Sequence, residues 1–185
     1  MNNVMIDLET LGTTADACIL SIGAVRFELE SDKIDDEGFY MSISVDSNLH
    51  MGRRIEEDTL KWWFKQTVEA QEVFYEPKHA LATGLLELKR WFGDSKQKIW
   101  SNGADFDLPI LAHAYSQMGL KTPWQFWNSS CFRTYKNLPG AKRLVLPAQG
   151  VKHNALVDAL AQARSAQNIY KGLFTPIQHS MVKAA

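Results

Sequence analysis

Near its N-terminus the chain runs Val4-Met5-Ile6-Asp7-Leu8-Glu9, and this short segment constrains the fold more than any other. Alternation puts Val4, Ile6 and Leu8 on one face of a strand and Met5, Asp7 and Glu9 on the other, so both carboxylates leave the sheet on the same side. Strands disfavour Asp and, less strongly, Glu, and like charges side by side repel. A sheet that takes in this strand has to compensate the pair. Three arrangements do so: the strand ends at Leu8 and both acids stay solvated, Glu9 meets an arginine, or a divalent cation binds both. Oxygen-only ligands at one spot suit magnesium or manganese better than zinc.

The rest of the chain supplies an ordinary globular setting for that strand. Of 185 residues, 45% are hydrophobic and 22% charged, and 20 basic against 21 acidic side chains leave a net charge of −1. This composition excludes a disordered, collagenous or repeat protein. One domain of this length buries roughly 70% of its unfolded surface and needs no disulfide or zinc staple. Cys18 and Cys131 lack C-x-x-C spacing and are too few for a disulfide framework, which points to a reducing cytosol. No stretch approaches the roughly 18 apolar residues of a membrane span, and the acidic N-terminus is not that of a signal peptide. A near-neutral charge argues against long tracking along duplex nucleic acid, but not against a site that grips a few nucleotides.

Residues 10–14 read as a turn, 18–27 as a buried second strand, 31–38 as a solvated hairpin connection and 39–45 as a third strand. Helical spacing follows over 56–66, 68–75 and 79–92, the last through Leu81, Leu85, Leu88 and Trp91. Short strands are expected at 98–101 and 129–132, and a helix over 108–118 stopped by Gly119. A loop marked by Pro139, Gly140, Pro147 and Gly150 leads to a last helix over 154–170. Three clustered strands followed by helices alternating with short strands predict an α/β domain with one central mixed β-sheet flanked by α-helices.

Two further acidic clusters accompany the first. In Asn102-Gly103-Ala104-Asp105-Phe106-Asp107-Leu108-Pro109 a strand ends and a helix begins. One Asp suffices to cap that helix, leaving a second to spare. In His153-Asn154-Ala155-Leu156-Val157-Asp158, Asp158 falls in an apolar helical run where an unpaired carboxylate is expensive. His153 precedes that helix after the Gly150 loop, a position that equally suits a solvent-exposed or capping side chain.

Taken in order, Ile6-Asp7-Leu8-Glu9-Thr10, Ala104-Asp105-Phe106-Asp107 and His153 to Ala159 resemble the DEDDh branch of the 3′–5′ exonuclease superfamily, which has a ribonuclease H-like fold. The fuller string 6–27, with Asp58-Thr59-Leu60-Lys61-Trp62-Trp63, is similar to the small phage- and prophage-encoded members, exoribonucleases and exodeoxyribonuclease VIII-like enzymes. The resemblance implies one exonuclease domain over 1–174, with 175–185 a flexible tail. It implies a metal-dependent 3′–5′ exonuclease that releases nucleoside 5′-monophosphates from the 3′ end of single-stranded RNA or DNA.

Transferred residue by residue, the resemblance makes Asp7, Glu9, Asp107 and Asp158 the ligands of two Mg²⁺ (or Mn²⁺) ions. Asp7 bridges them, Glu9 and Asp158 serve the nucleophile side and Asp107 mainly the other. His153 becomes the general base, an imidazole being suited to proton transfer near neutral pH. Gly103 stands where many members place Asn directly before Ala, which keeps Asp105 as a reserve for Asp107. Thr10, Leu11 and Phe106 are expected to contact substrate, and of the adjacent Trp62 and Trp63, pointing about 100° apart on a helix, Trp62 is assigned to the groove. Lys136, Lys142, Arg143 and Lys152 form a loose basic set before His153. An inactive end-binding module and a polymerase-associated proofreading subunit are the alternative readings, and a homodimer is compatible with the sequence. The choice between RNA and DNA rests on contacts to the 2′ position.

Overall fold

A computed structural model describes residues 1–35, 37–93, 96–103 and 105–174. The 175–185 tail, Ala104 of the second motif and Asp36 of the expected hairpin connection lie outside the described residues. Strand β1 (Asn3–Thr10) pairs antiparallel with β2 (Ile19–Phe27), and β2 pairs antiparallel with β3 (Phe39–Ser42). On the other side of β1 lies β4 (Lys98–Ser101), parallel to it, and then β5 (Ser129–Cys131), parallel to β4. The order β3-β2-β1-β4-β5 is the expected mixed sheet, with the acidic strand at its centre.

Both faces of β1 are covered. Val4, Ile6 and Leu8 enter a core built with α4 (Leu81–Phe92) and α5 (Asp107–Gln117), through Leu85, Leu88, Leu111 and Tyr115. Met5, on the opposite face, joins Val25, Phe27 and Trp100 against α7 (Ala155–Phe174). The contact stripe of α7 is Ala159, Ala163 and Ala166, small residues that let the helix approach the sheet closely. Gly23 on β2 completes that fit, because a Cβ there would lie 2.1 Å from the carbonyl carbon of Ala155.

Several expected boundaries are corrected. The third strand does not run to Val45; it stops at Ser42, and α1 (Val45–His50) follows. Ser44 caps this helix, and the buried Asn48 side chain bonds both the N–H and the C=O of Ile19. Those partners are distant in sequence, so no local pattern announces them. Residues 56–66 form the shorter α2 (Glu57–Trp63), and 68–75 divide into α3 (Val68–Gln71) and a 3₁₀ turn (Glu72–Phe74). The strand expected to include Phe132 instead gives way to α6 (Phe132–Lys136), capped by the Cys131 thiol. Among the described residues no helix is long and apolar enough to cross a membrane.

Candidate active site

The sheet order brings three distant carboxylate-bearing segments to one end of β1. Strand β4 pairs with β1 only as far as Met5. Beyond it, the free N–H of Leu8 donates to Asp107 Oδ1 at 3.0 Å, which draws the first residue of α5 against the acidic strand. From the other face α7 contributes Asp158, whose Oδ2 accepts the His153 N–H at 3.2 Å. Asn154 Oδ1 accepts the N–H groups of Leu156 and Val157, capping the helix. His153 itself has φ +62°, a left-handed conformation costly for a side chain of its kind. One donor atom from each of Glu9, His153 and Asp158 lies within 4.8 Å of the others.

One turn beyond Asp158, Gln162 donates from Nε2 to Asp7 Oδ1 at 2.8 Å. Its Oε1 is buried and has no hydrogen-bond partner within the protein. The sequence reading missed this residue. Its spacing of four from Asp158 on the same helix face was the available signal, but glutamine in an Ala-rich helix carries no chemical label.

The acids crowd one another in a low-dielectric setting. Burial, then the charges of Asp107 and Glu9, push the Asp7 carboxyl well above its usual range, against the hydrogen bond from Gln162. Glu9 is only 7% exposed, and burial together with Asp158 and Asp107 raises it to about 8. Burial raises Asp107 to about 7, opposed by the Leu8 N–H and by Arg133. Burial also raises Asp158, opposed by His153 and Lys152. Among the described residues no Lys or Arg forms an ion pair with any of the four. A hard divalent ion suits this set: four carboxylates and an imidazole without a thiolate favour magnesium or manganese.

A cleft of about 730 Å³ opens above these groups, with Thr10, Trp62 and Phe106 in its walls. Trp63 is 1% exposed and donates its indole N–H to the Thr10 carbonyl at 2.8 Å, while Trp62 is 41% exposed and stands edge-on to the His153 ring, centroids 4.8 Å apart. Thr10 donates its hydroxyl to the Gly12 carbonyl. The Leu11 side chain is buried. It packs with Cys18, Leu20 and Trp63 and does not line the cleft. Gly12 and Thr13 take that place, in a turn held by the Glu56 carboxylate through the N–H and hydroxyl groups of Thr13 and Thr14. Asp105 is exposed and lines a separate pocket with Arg133, so it is Asp107 that the structure brings to β1. The basic set is dispersed: Lys142 and Arg143 lie on a 3₁₀ turn, Lys136 packs over the Phe132 ring, and Lys152 acts on Asp158.

The mixed sheet with acids gathered at its central strand fits a 3′–5′ exonuclease. The chain belongs to the family described as the 3′–5′ exoribonuclease Rv2179c-like domain, whose model matches residues 2–170. It is 24% identical over 159 residues to the exodeoxyribonuclease of enterobacteria phage T4, across 72% of this chain and 70% of that one. Solved structures share the fold at 14% identity. S. pombe Pop2p, in an Mg²⁺- and Mn²⁺-bound form, matches 94% of this chain and 84% of its own with a TM-score of 0.61. The nuclease domain of 3′hExo, a DEDDh family member bound to rAMP, matches 91% of both chains at 0.58. The cell-death related nuclease CRN-4 matches 91% of this chain at 0.56, and the chain spans 63% of that protein.

Proposed function

We propose that the protein hydrolyses single-stranded nucleic acid from its 3′ end, one nucleoside 5′-monophosphate at a time, with Asp7, Glu9, Asp107 and Asp158 holding two Mg²⁺ or Mn²⁺ ions and His153 acting as general base. The observation that carries this reading is the convergence of four carboxylates from β1, α5 and α7, all raised in pKa and, among the described residues, none in an ion pair with Lys or Arg. Two divalent ions there would neutralise the phosphate oxygens and stabilise the attacking and leaving oxygens of an in-line displacement.

The chain's own groups perform the remaining tasks. A ring nitrogen of His153 takes the proton of the attacking water, and the backbone bond to Asp158 and the edge of Trp62 fix where that ring stands. Thr10, Phe106 and Trp62 hold the terminal nucleotide in the cleft, whose volume is that of a site for one ligand of this size. The family description supports RNA as substrate and the phage T4 relative supports DNA. Matched 5′-labelled single strands of each, incubated with Mg²⁺ or Mn²⁺, separate the two. A ladder shortening from the 3′ end, abolished by EDTA and by Asp7→Ala, is expected. Folded, metal-binding protein that shortens neither strand would instead be the end-binding module.

Gln162 supports the same site by anchoring Asp7. Removing a group that orients a metal ligand typically costs ~10–100-fold in metal affinity. Gln162→Leu is therefore expected to shift the Mn²⁺ dependence of the melting temperature to at least ~10-fold higher concentration. An unchanged midpoint would show that Asp7 needs no such anchor.

A further inference from the structure

Beside the catalytic cleft lies a second pocket of about 430 Å³, lined by Gly103, Asp105, Phe106, Cys131, Arg133 and Thr134. Phe106 lines both spaces, so its ring is their common wall. On the pocket side the Arg133 guanidinium lies against Gly103, where an added Cβ would come within 3.4 Å of Nη2. Arg133 is exposed; its charge acts on Asp107, and among the described residues its guanidinium forms no ion pair. Lys136, one turn further along α6, is held below its usual pKa by burial and then by the charge of Arg133. Lys136 does not line the pocket but packs over the Phe132 ring behind it; Arg133 is the pocket's one basic residue among the described residues, and the exposed Asp105 lies on the same lining.

The cleft's other flank is lined by acids, with no Lys or Arg among its described residues. Glu56 and Asp58 line the cleft beside Trp62, and beyond His153 a further pocket of about 460 Å³ carries Glu69, Glu72 and Glu76. A phosphate backbone leaving the site is repelled on that flank and attracted over Phe106 toward α6. We infer that Arg133 binds the phosphodiester upstream of the scissile one, so that the strand passes Phe106 from the second pocket into the cleft. The inference rests on the exonuclease reading above and adds the direction of the strand and the residue that grips it. An Arg fork suits a phosphate diester because two parallel N–H groups meet its two unesterified oxygens.

The test compares two substrates in the full-length protein. A 5′-labelled single-stranded decamer has an upstream phosphate; the p-nitrophenyl ester of thymidine 5′-monophosphate has the scissile bond and none upstream. Arg133→Ala is expected to lower kcat/KM for the decamer ~10-fold further than for the ester, chiefly through KM, with Arg133→Lys recovering part of the loss. The slope of log kcat/KM for the decamer against log salt concentration should fall in magnitude by ~1 in Arg133→Ala. Equal losses on both substrates with an unchanged slope would mean that Arg133 acts through Asp107, and would overturn the subsite; so would an unaffected decamer. Wild-type protein that cleaves neither substrate would sink the exonuclease reading itself, a result distinct from either.

Discussion

In metal-free buffer at pH 8 the Glu9→Gln protein is expected to melt several degrees above the wild type, and with Mn²⁺ added it is expected to shorten no oligonucleotide that the wild type shortens. Glu9 sits at the centre of the sheet, where burial and the charges of Asp158 and Asp107 move its pKa from 4.5 to about 8. The folded state therefore holds on to a proton that the unfolded chain releases near pH 4.5. Stability from this group is fully present below that value and is lost as pH rises through the folded pKa. By linkage the loss amounts to a few kcal/mol on the order of magnitude, and each kcal/mol moves the midpoint of a chain this long by ~2–4 °C. A neutral amide of the same shape escapes the loss. The advantage of Glu9→Gln should shrink toward pH 5, and saturating Mn²⁺ should raise the wild type more than the variant. Melting curves at pH 5 and pH 8, with EDTA and with Mn²⁺, check all three. A variant that melts below the wild type at pH 8 in EDTA would show that Glu9 is a stabilising group and not a strained ligand.

Gly23→Ala is expected to destabilise the protein by ~3 kcal/mol, at the upper end of overpacking penalties, and to lower its melting temperature by ~6–12 °C. The added methyl would lie 2.1–2.4 Å from the backbone atoms of Ala155 and Leu156, and a backbone cannot swing aside as a side chain does. The first turn of α7 has to move off the sheet, and Asp158 and Gln162 ride on that helix. The variant should therefore also lose metal affinity, although Gly23 belongs to none of the acidic motifs. Thermal melts with and without Mn²⁺ report both effects. A variant of wild-type stability would mean that α7 packs further from β2 than this fold places it.

The parts of the molecule that were legible beforehand are those set by local periodicity. The alternation of Val4, Ile6 and Leu8 with Met5, Asp7 and Glu9 matches the division of β1 between two cores. The spacing of Leu81, Leu85 and Leu88 marks the buried face of α4. What escaped depends on partners remote in sequence. Helix α1 exists because Asn48 finds the backbone of Ile19, 29 positions away, so the apolar residues around it read equally well as strand. Leu11 follows an active-site segment, yet the chain turns its side chain into the core and gives the cleft wall to Gly12 and Thr13. Trp62, assigned to the groove beforehand, is the exposed one of the adjacent pair, and the remote partner that holds Trp63 inside is the Thr10 carbonyl, which accepts its indole N–H.

Residues 7, 9, 107 and 158 come from three segments, and the last belongs to the final described helix, which packs against β1 and β2. On the proposed reading, a polypeptide emerging from a ribosome offers the first two acids almost at once and the fourth only when synthesis has passed α7. An interrupted translation product or a proteolytic fragment ending short of that helix carries an incomplete acid set. The acid set is therefore all-or-none: only a chain that contains and folds all three segments holds it.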